Sequence, residues 1–317
     1  MPRPCHCALH ALAAIGVLSA ACAAVRTLSF IKTNYLTSCN MKKRYGKAGN
    51  WAVVTGASEG IGLAMTMDLA RRGFNVCVIA RTASKLDAVV EDVKKAGVEG
   101  LAIPFDFSTA TSADYDKLFK ELDKIDVAVL VNNVGVNYDY TNYFDEVDIS
   151  MDLFLLKVNT EAMVRMTKYV VPKMKAKRAG AIVVLSSVSA VTPTPMLATY
   201  AGTKAFNLSF GAGLHYELKE FGIDVLNVTP NLVVSKMTQG KSSRAPKESF
   251  LMVNADRMAH QTLDKLGAVT QTSGHSNHAV IETLLLWVPE SMRTNKILRF
   301  SKAIKARAER NKAPKPQ

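Results

Sequence analysis

Ser187, Tyr200 and Lys204 are the residues of this 317-residue chain best spaced for chemistry. Ser187 follows the apolar run Ala181–Leu185, and Tyr200 comes thirteen positions later, opening Tyr-Ala-Gly-Thr-Lys204. On a helix, positions i and i+4 share a face, which places the phenol beside the ammonium. A free phenol titrates near about pH 10, too high for ready proton exchange at neutral pH. A neighbouring ammonium favours the phenolate and is expected to lower that value. Tyr200 is then suited to give a proton to a carbonyl oxygen as hydride reaches its carbon, with Ser187 hydrogen-bonded to the same oxygen. The Tyr-x-x-x-Lys spacing recurs at Tyr169 and Lys173, but there Leu156 takes the place of the serine. Pro172 is also expected to interrupt that helix, so Tyr169 reads as an ordinary helix-face residue.

A second constellation lies upstream. Trp51–Thr55 is a short apolar strand that runs into Gly56, Ala57, Ser58, Glu59, Gly60, Ile61 and Gly62, and then into a helical pattern. Glycines at such a turn let the backbone approach a pyrophosphate, whose charge is favoured at a helix N-terminus. Roughly 20 residues later, an acid at the end of the second strand would hold a ribose 2′-hydroxyl. Arg81 stands there instead, and the nearest acid is Asp87. An arginine suits a 2′-phosphate, so the expected cofactor is NADPH, with Lys85 assisting. The plainer reading of Arg81 is a solvated residue at the start of the next helix. Asp106, just after the third strand, either takes an adenine amino group or caps a turn.

These groups need a scaffold, and the chain supplies alternating strands and helices. Strands are expected at 51–55, 74–80, 101–105, 126–131, 181–185 and 223–228. Helices are expected at 60–72, 83–96, 111–122, 151–177 (interrupted near Pro172) and 199–221. Continuous apolar strands separated by helices indicate an α/β fold, a doubly wound parallel sheet covered on both faces. Ligands then bind beyond the carboxyl ends of the strands.

The net charge of +13 resembles that of a nucleic-acid binder, but its distribution does not. Residues 1–58 carry seven Lys/Arg and no acid, and residues 290–317 carry nine Lys/Arg and two acids. The 231 residues between are near neutral, with 24 basic and 25 acidic groups. Basic ends without interleaved aromatics suit an anionic membrane surface or a solvated tail, so no nucleic acid is expected as a partner. Apolar residues at 48% exclude wholesale disorder. The five cysteines are an odd number, four of them within the first 39 residues, which argues against a disulfide framework. The Cys5-His6-Cys7 cluster lacks the gap of a metal motif, and no metal is expected.

Ala8–Val25 is uncharged and would span about 27 Å as a helix. Lys and Arg are concentrated downstream of it, which places the downstream side in the cytoplasm. An uncleaved membrane anchor is the leading reading. A cleavable signal peptide, an acid-free mitochondrial presequence and a buried helix are the alternatives.

Taken together, Thr55–Gly62, Asn132-Asn133-Val134-Gly135, Ser187 and Tyr200-x-x-x-Lys204 resemble the short-chain dehydrogenase/reductase family over about residues 50–235. The resemblance implies a Rossmann-type sheet, with Lys204 also holding the nicotinamide ribose. It implies that Asn159 carries the water of a proton relay, and that Asn132 and Val233 contact the cofactor. Two positions depart from the family pattern. Val134 replaces an alanine, and Pro230-Asn231 replaces Pro-Gly after the sixth strand, at the nicotinamide side. The leader, Gly49-Asn-Trp51, Ser-Ser-Val-Ser-Ala-Val-Thr-Pro193-Thr-Pro195 and Pro230-x-Leu-Val-x-Ser-Lys-Met237 are similar to the membrane-bound 3-ketoacyl-CoA reductases and their 17β-hydroxysteroid dehydrogenase relatives. That group lies in the endoplasmic reticulum membrane and reduces the 3-keto group in fatty-acid elongation.

The expected organisation is an anchor and basic linker over 1–48, a catalytic domain over 49–290 and a basic amphipathic tail over 291–317. The expected substrate is a long-chain acyl-CoA. Lys236, Lys241, Arg244 and Lys247 lie on a segment after the sixth strand and could pair with its phosphates, or simply be solvated or rest on lipid headgroups. Membrane lipid, other elongation enzymes and a homodimer partner are the remaining associations to consider. The alternatives are a steroid or other lipid ketone as substrate, and a non-catalytic nucleotide-binding scaffold.

Overall fold

The computed structural model describes residues 6–239 and 247–312. It divides into two compact units, 1–38 and 39–317.

The first unit is a helix, α1 (His6–Ile31), continued by a π-helical turn over Lys32–Leu36. Its stretch His10–Leu36 is long and apolar enough to cross a membrane, with a mean hydropathy of 1.8. Leu12, Ile15, Val17, Leu18, Val25 and Leu28 are all exposed along it. The helix outruns the uncharged segment because Arg26 and Lys32 do not break helical geometry.

The second unit begins within the stretch expected to be a linker. The short α2 (Met41–Tyr45) buries Met41 and Tyr45, and both Arg44 and the Tyr45 hydroxyl bond to Asp224 at 2.8 Å. The chain then alternates as β1 (Trp51–Thr55), α3 (Gly60–Arg71), β2 (Asn75–Ala80), α4 (Ala83–Lys95), β3 (Gly100–Pro104), α5 (Ser112–Leu122) and β4 (Val127–Asn132). The second half runs α6 (Ile149–Leu156), a π turn over Lys157–Glu161, α7 (Ala162–Lys177), β5 (Gly180–Leu185), α8 (Ala198–Lys219) and β6 (Ile223–Val228). It closes with β7 (Leu232–Val233), α9 (Lys236–Gln239), β8 (Met252–Val253), α10 (Ala255–Asp264), β9 (Gln271–Thr272), α11 (Ser276–Trp287) and α12 (Glu290–Lys312).

The main sheet is parallel, in the order β3-β2-β1-β4-β5-β6-β9, so the strand order reverses between β1 and β4. The crevice at that reversal is where an open α/β sheet binds ligands. Successive strand residues face opposite layers, as a two-residue period requires. Val54, Val76 and Val78 enter one core, while Val53, Cys77 and Ile79 enter the other. The sheet is therefore covered on both faces, as its unbroken apolar strands indicate.

One expectation is corrected. Pro172 does not interrupt α7, which runs through it with Val170 and Met174 buried on either side. A proline removes one helical hydrogen bond, and the flanking burial holds the helix together. The irregularity lies earlier, in the π turn centred on Asn159. The basic tail forms α12, with Met292 and Phe300 exposed and another part of the helix against the body. Within α12, Ser301 is buried, its carbonyl accepts from Thr141 at 2.6 Å, and Lys305 pairs with Glu146, so the helix packs on the segment after β4. In α11 the N-terminal half is buried, whereas Leu284, Leu286 and Trp287 at its end are exposed. Cys22, Cys39 and Cys77 are unpaired.

Candidate active site

One cleft at the strand-order reversal gathers most of the residues singled out from the sequence. Gly56, Ser58, Glu59, Gly60, Ile61, Gly62, Arg81, Lys85, Asp106, Ser187, Tyr200, Lys204 and Val233 all line it.

The glycine turn is fixed by close approach. A Cβ on Gly62 would lie 2.2 Å from the Gly56 carbonyl oxygen and 2.4 Å from Asn133 Nδ2, and Gly56 itself holds φ at +65°. Only glycine meets both demands. Asn133, not Asn132, clamps this turn. Its Nδ2 donates to the Thr55 and Gly56 carbonyls at 2.9 and 3.1 Å. Thr55 Oγ1 in turn accepts from the Asn133 and Val134 amides at 3.0 and 3.1 Å. Asn132, expected to contact the cofactor, is not among the residues that line the cleft. As the last residue of β4 it points the other way, is buried, and donates to Thr167 Oγ1 at 2.9 Å. The strand's two-residue alternation accounts for the exchange of roles.

At one end of the cleft, Arg81 is exposed and Lys85 forms an exposed ion pair with Glu59 at 3.3 Å. Asp106 Oδ1 accepts from the Ser108 amide at 2.9 Å and from its hydroxyl at 2.6 Å, which is the turn role. Burial pushes this carboxyl up, but the two bonds from Ser108, with Arg81 and Lys157 near, outweigh it and hold it below its ordinary value. Phe105 and Phe107 flank it along the cleft.

At the other end stand the hydroxyls and the ammonium. Ser187 leaves the end of β5 and caps a short 3₁₀ turn, and its Oγ accepts from Ser189 Oγ at 2.7 Å. Tyr200 and Lys204 share the inward face of the first turns of α8, and both are buried. Lys204 Nζ lies 5.9 Å from the Tyr200 ring centroid and donates to the Leu185 carbonyl at 3.2 Å. Burial lowers its pKa to about 8. Burial also raises the Tyr200 phenol, with the Ser187 hydrogen bond acting in the opposite direction. The expectation that the ammonium sets the phenol low is thus reversed. At this separation desolvation of the phenolate is the larger effect, and the phenol is held protonated at neutral pH.

Asn159 stands behind the cleft wall. It is buried at the centre of the π turn, its Oδ1 accepts from the Val136 amide at 2.8 Å, and its Nδ2 donates to Val136 O and Thr203 Oγ1, each at 3.0 Å. It therefore ties the segment after β4 to the helix that carries Tyr200. The decoy pair is elsewhere. Tyr169 stacks on Phe119 and, together with Lys173, bonds Asp123 outside the cleft. Thr55, Asn133 and Ser189 fall within the motifs read from the sequence but carried no assigned role there, because spacing does not show their hydrogen-bond partners. Of the cationic segment after β6, Lys241 and Arg244 lie outside the described residues, and Lys247 is exposed. Among the described residues, no group of three or more His, Cys, Asp or Glu could hold a metal ion.

A family model described as short chain dehydrogenase matches residues 50–246. The chain is 36% identical over 263 residues to a very-long-chain 3-oxoacyl-CoA reductase of Anas platyrhynchos, covering 82% of each. It is 35% identical over 297 residues to hydroxysteroid dehydrogenase-like protein 1 of Gallus gallus, covering 91% of this chain and 88% of that one. Among solved structures, a short-chain dehydrogenase from Sphingobium yanoikuyae in complex with NADPH is similar at a TM-score of 0.59 and 28% identity, covering 66% of this chain and 81% of that one.

Proposed function

Because this chain belongs to the short-chain dehydrogenase family, we propose that it reduces the 3-keto group of long-chain 3-ketoacyl-CoA to the 3-hydroxyacyl-CoA with NADPH. The observation that carries this reading is the convergence of Ser187, Tyr200 and Lys204 at one end of the cleft that the glycine turn and Arg81 line at the other.

The residues present fit the cofactor. The cradle that a Cβ on Gly62 would fill leaves backbone room for a pyrophosphate, and the start of α3 favours its charge. Arg81 and Lys85 supply cations for a 2′-phosphate, where an acid would repel it. Lys204 is placed for the nicotinamide ribose. NADPH supplies the hydride.

The chain's own groups manage the proton. Ser187 fixes the ketone oxygen with its hydroxyl, oriented by Ser189. Tyr200, protonated at neutral pH through burial, gives its proton to that oxygen. A buried phenolate is costly once formed, and the Lys204 ammonium and the Ser187 hydroxyl limit that cost. Asn159 keeps the segment after β4 in register with α8, and in the proposed relay it would also position the water that returns the proton. Every catalytic position is filled, which favours an enzyme over a nucleotide-binding scaffold.

The reading includes a place for the protein. The apolar α1 anchors it in the endoplasmic reticulum membrane, with the Lys- and Arg-rich downstream side, and hence the catalytic body, in the cytoplasm. The likeness to a hydroxysteroid dehydrogenase-like protein favours a second substrate class, a ketosteroid. Purified full-length protein and NADPH distinguish the two. Faster oxidation of NADPH with a long-chain 3-ketoacyl-CoA than with a 17-ketosteroid is expected, and the opposite order would move the assignment to steroids.

A further inference from the structure

The turn leaving β6 carries Pro230-Asn231, where the family pattern has Pro-Gly. Among the described residues the only non-glycine positive φ values are at Arg178 and Met196, so Asn231 needs no glycine-like backbone. What the turn has instead is a side chain from far along the sequence. His278, in the first turn of α11, accepts from the Asn231 amide on Nδ1 at 3.3 Å, and its Nε2 faces the Leu232 carbonyl at 3.1 Å. A carbonyl only accepts, so the proton is on Nε2 and Nδ1 is the acceptor. A single neutral tautomer makes both bonds. The ring is 1% exposed, and burial lowers its pKa against the opposing pull of the Leu232, Ser273 and Leu251 backbone.

The other side of the turn is tied to the chemistry. The Val188 amide, next to Ser187, donates to the Pro230 carbonyl at 3.0 Å. Pro230, Asn231 and Val233 line the same cleft as Ser187, Tyr200 and Lys204, and β6 lies beside β5, whereas Arg81 follows β2 on the far side of β1 and β4. The imidazole thus holds a short backbone segment from outside the cleft while the segment's other face borders the reacting groups.

We propose that His278 is a positioning residue that sets the β6 turn against the nicotinamide end of the cofactor. The inference rests on the NADPH reading above. Its test compares two probes on the full-length protein. NADPH spans both ends of the cleft, whereas 2′,5′-ADP reaches only the Arg81 end. In His278→Phe, which keeps the ring volume and removes both bonds to the turn, NADPH should bind about tenfold more weakly, at one to two lost hydrogen bonds. Affinity for 2′,5′-ADP should stay at the wild-type value. His278→Asn keeps an amide near the Nδ1 position and His278→Gln one near Nε2, so each should recover part of the loss. If the phenylalanine variant does not fold, these two decide the matter, each expected to weaken NADPH a few-fold and leave 2′,5′-ADP unchanged. Wild-type NADPH affinity in the variants, or equal loss for both probes, overturns the role of His278. A wild-type protein that binds neither probe overturns the cofactor reading instead.

Discussion

The Lys204 ammonium lies 5.9 Å from the centroid of the Tyr200 ring, and its hydrogen bond goes to the Leu185 carbonyl at 3.2 Å. The two groups share a buried face of α8 without direct bonding, so each pays the cost of burial separately. That cost moves them in opposite directions, the phenol up and the ammonium down to about 8. Both shifts favour the neutral form, and a neutral phenol is the form that can give a proton to a ketone.

Tyr200→Phe removes that proton and little else, since the ring remains to fill its place. Turnover of the ketone should fall at least about a hundredfold, within the range for loss of a general acid, while NADPH affinity stays near wild type. Tyr169→Phe, which acts outside the cleft, should leave turnover essentially unchanged. Steady-state rates and NADPH fluorescence titration on both variants check this, and an exchange of the two phenotypes would assign the chemistry to the other tyrosine.

Arg81→Asp places a carboxylate where a 2′-phosphate is expected. Loss of charge-assisted bonds predicts NADPH binding weaker by roughly tenfold or more, with NADH much less affected. Equal loss for both cofactors, measured by the same titration, would remove Arg81 from the phosphate site.

Lys204 makes stability and function oppose each other. Its folded pKa of about 8 lies below the ordinary lysine value, so between these values the unfolded chain binds more protons than the folded one. Stability from this group is therefore lowest below about pH 8 and recovers as pH rises toward the unfolded value. Lys204→Met removes the buried charge. It should stabilise the protein at pH 7, by up to about 3 kcal/mol for a shift of this size, and the gain should shrink by pH 10. Turnover should be lost. The difference in Tm between variant and wild type at the two pH values measures the effect, and a gain that grows with pH would contradict it.

Local spacing made much of the site legible. The glycine turn, Ser187, Tyr200 and Lys204 lie on a strand end or one helix face, where sequence distance maps directly onto direction. The same logic separated Tyr169 from Tyr200, although Pro172 was the wrong reason for doing so. Asn132 and Asn133 mark the limit of that logic, because at the end of β4 a step of one residue turns a side chain from the cleft to Thr167. Long-range partners left no local signal. His278 meets Asn231 across 47 positions, and β9 is two residues, Gln271 and Thr272, with no apolar run to announce a strand. The balance of charge and burial at Tyr200 was also out of reach, since it depends on where the Lys204 ammonium points.

The proposed reaction delivers hydride and a proton to the 3-keto group of a long-chain acyl-CoA. Mass spectrometry of the product formed with NADPH deuterated at C4 tests it directly. One deuterium on C3 of the 3-hydroxyacyl-CoA is expected with wild-type protein, and no product above background with Tyr200→Phe. Unreduced 3-ketoacyl-CoA after incubation with the wild type, or labelled product in equal yield from Tyr200→Phe, would contradict it.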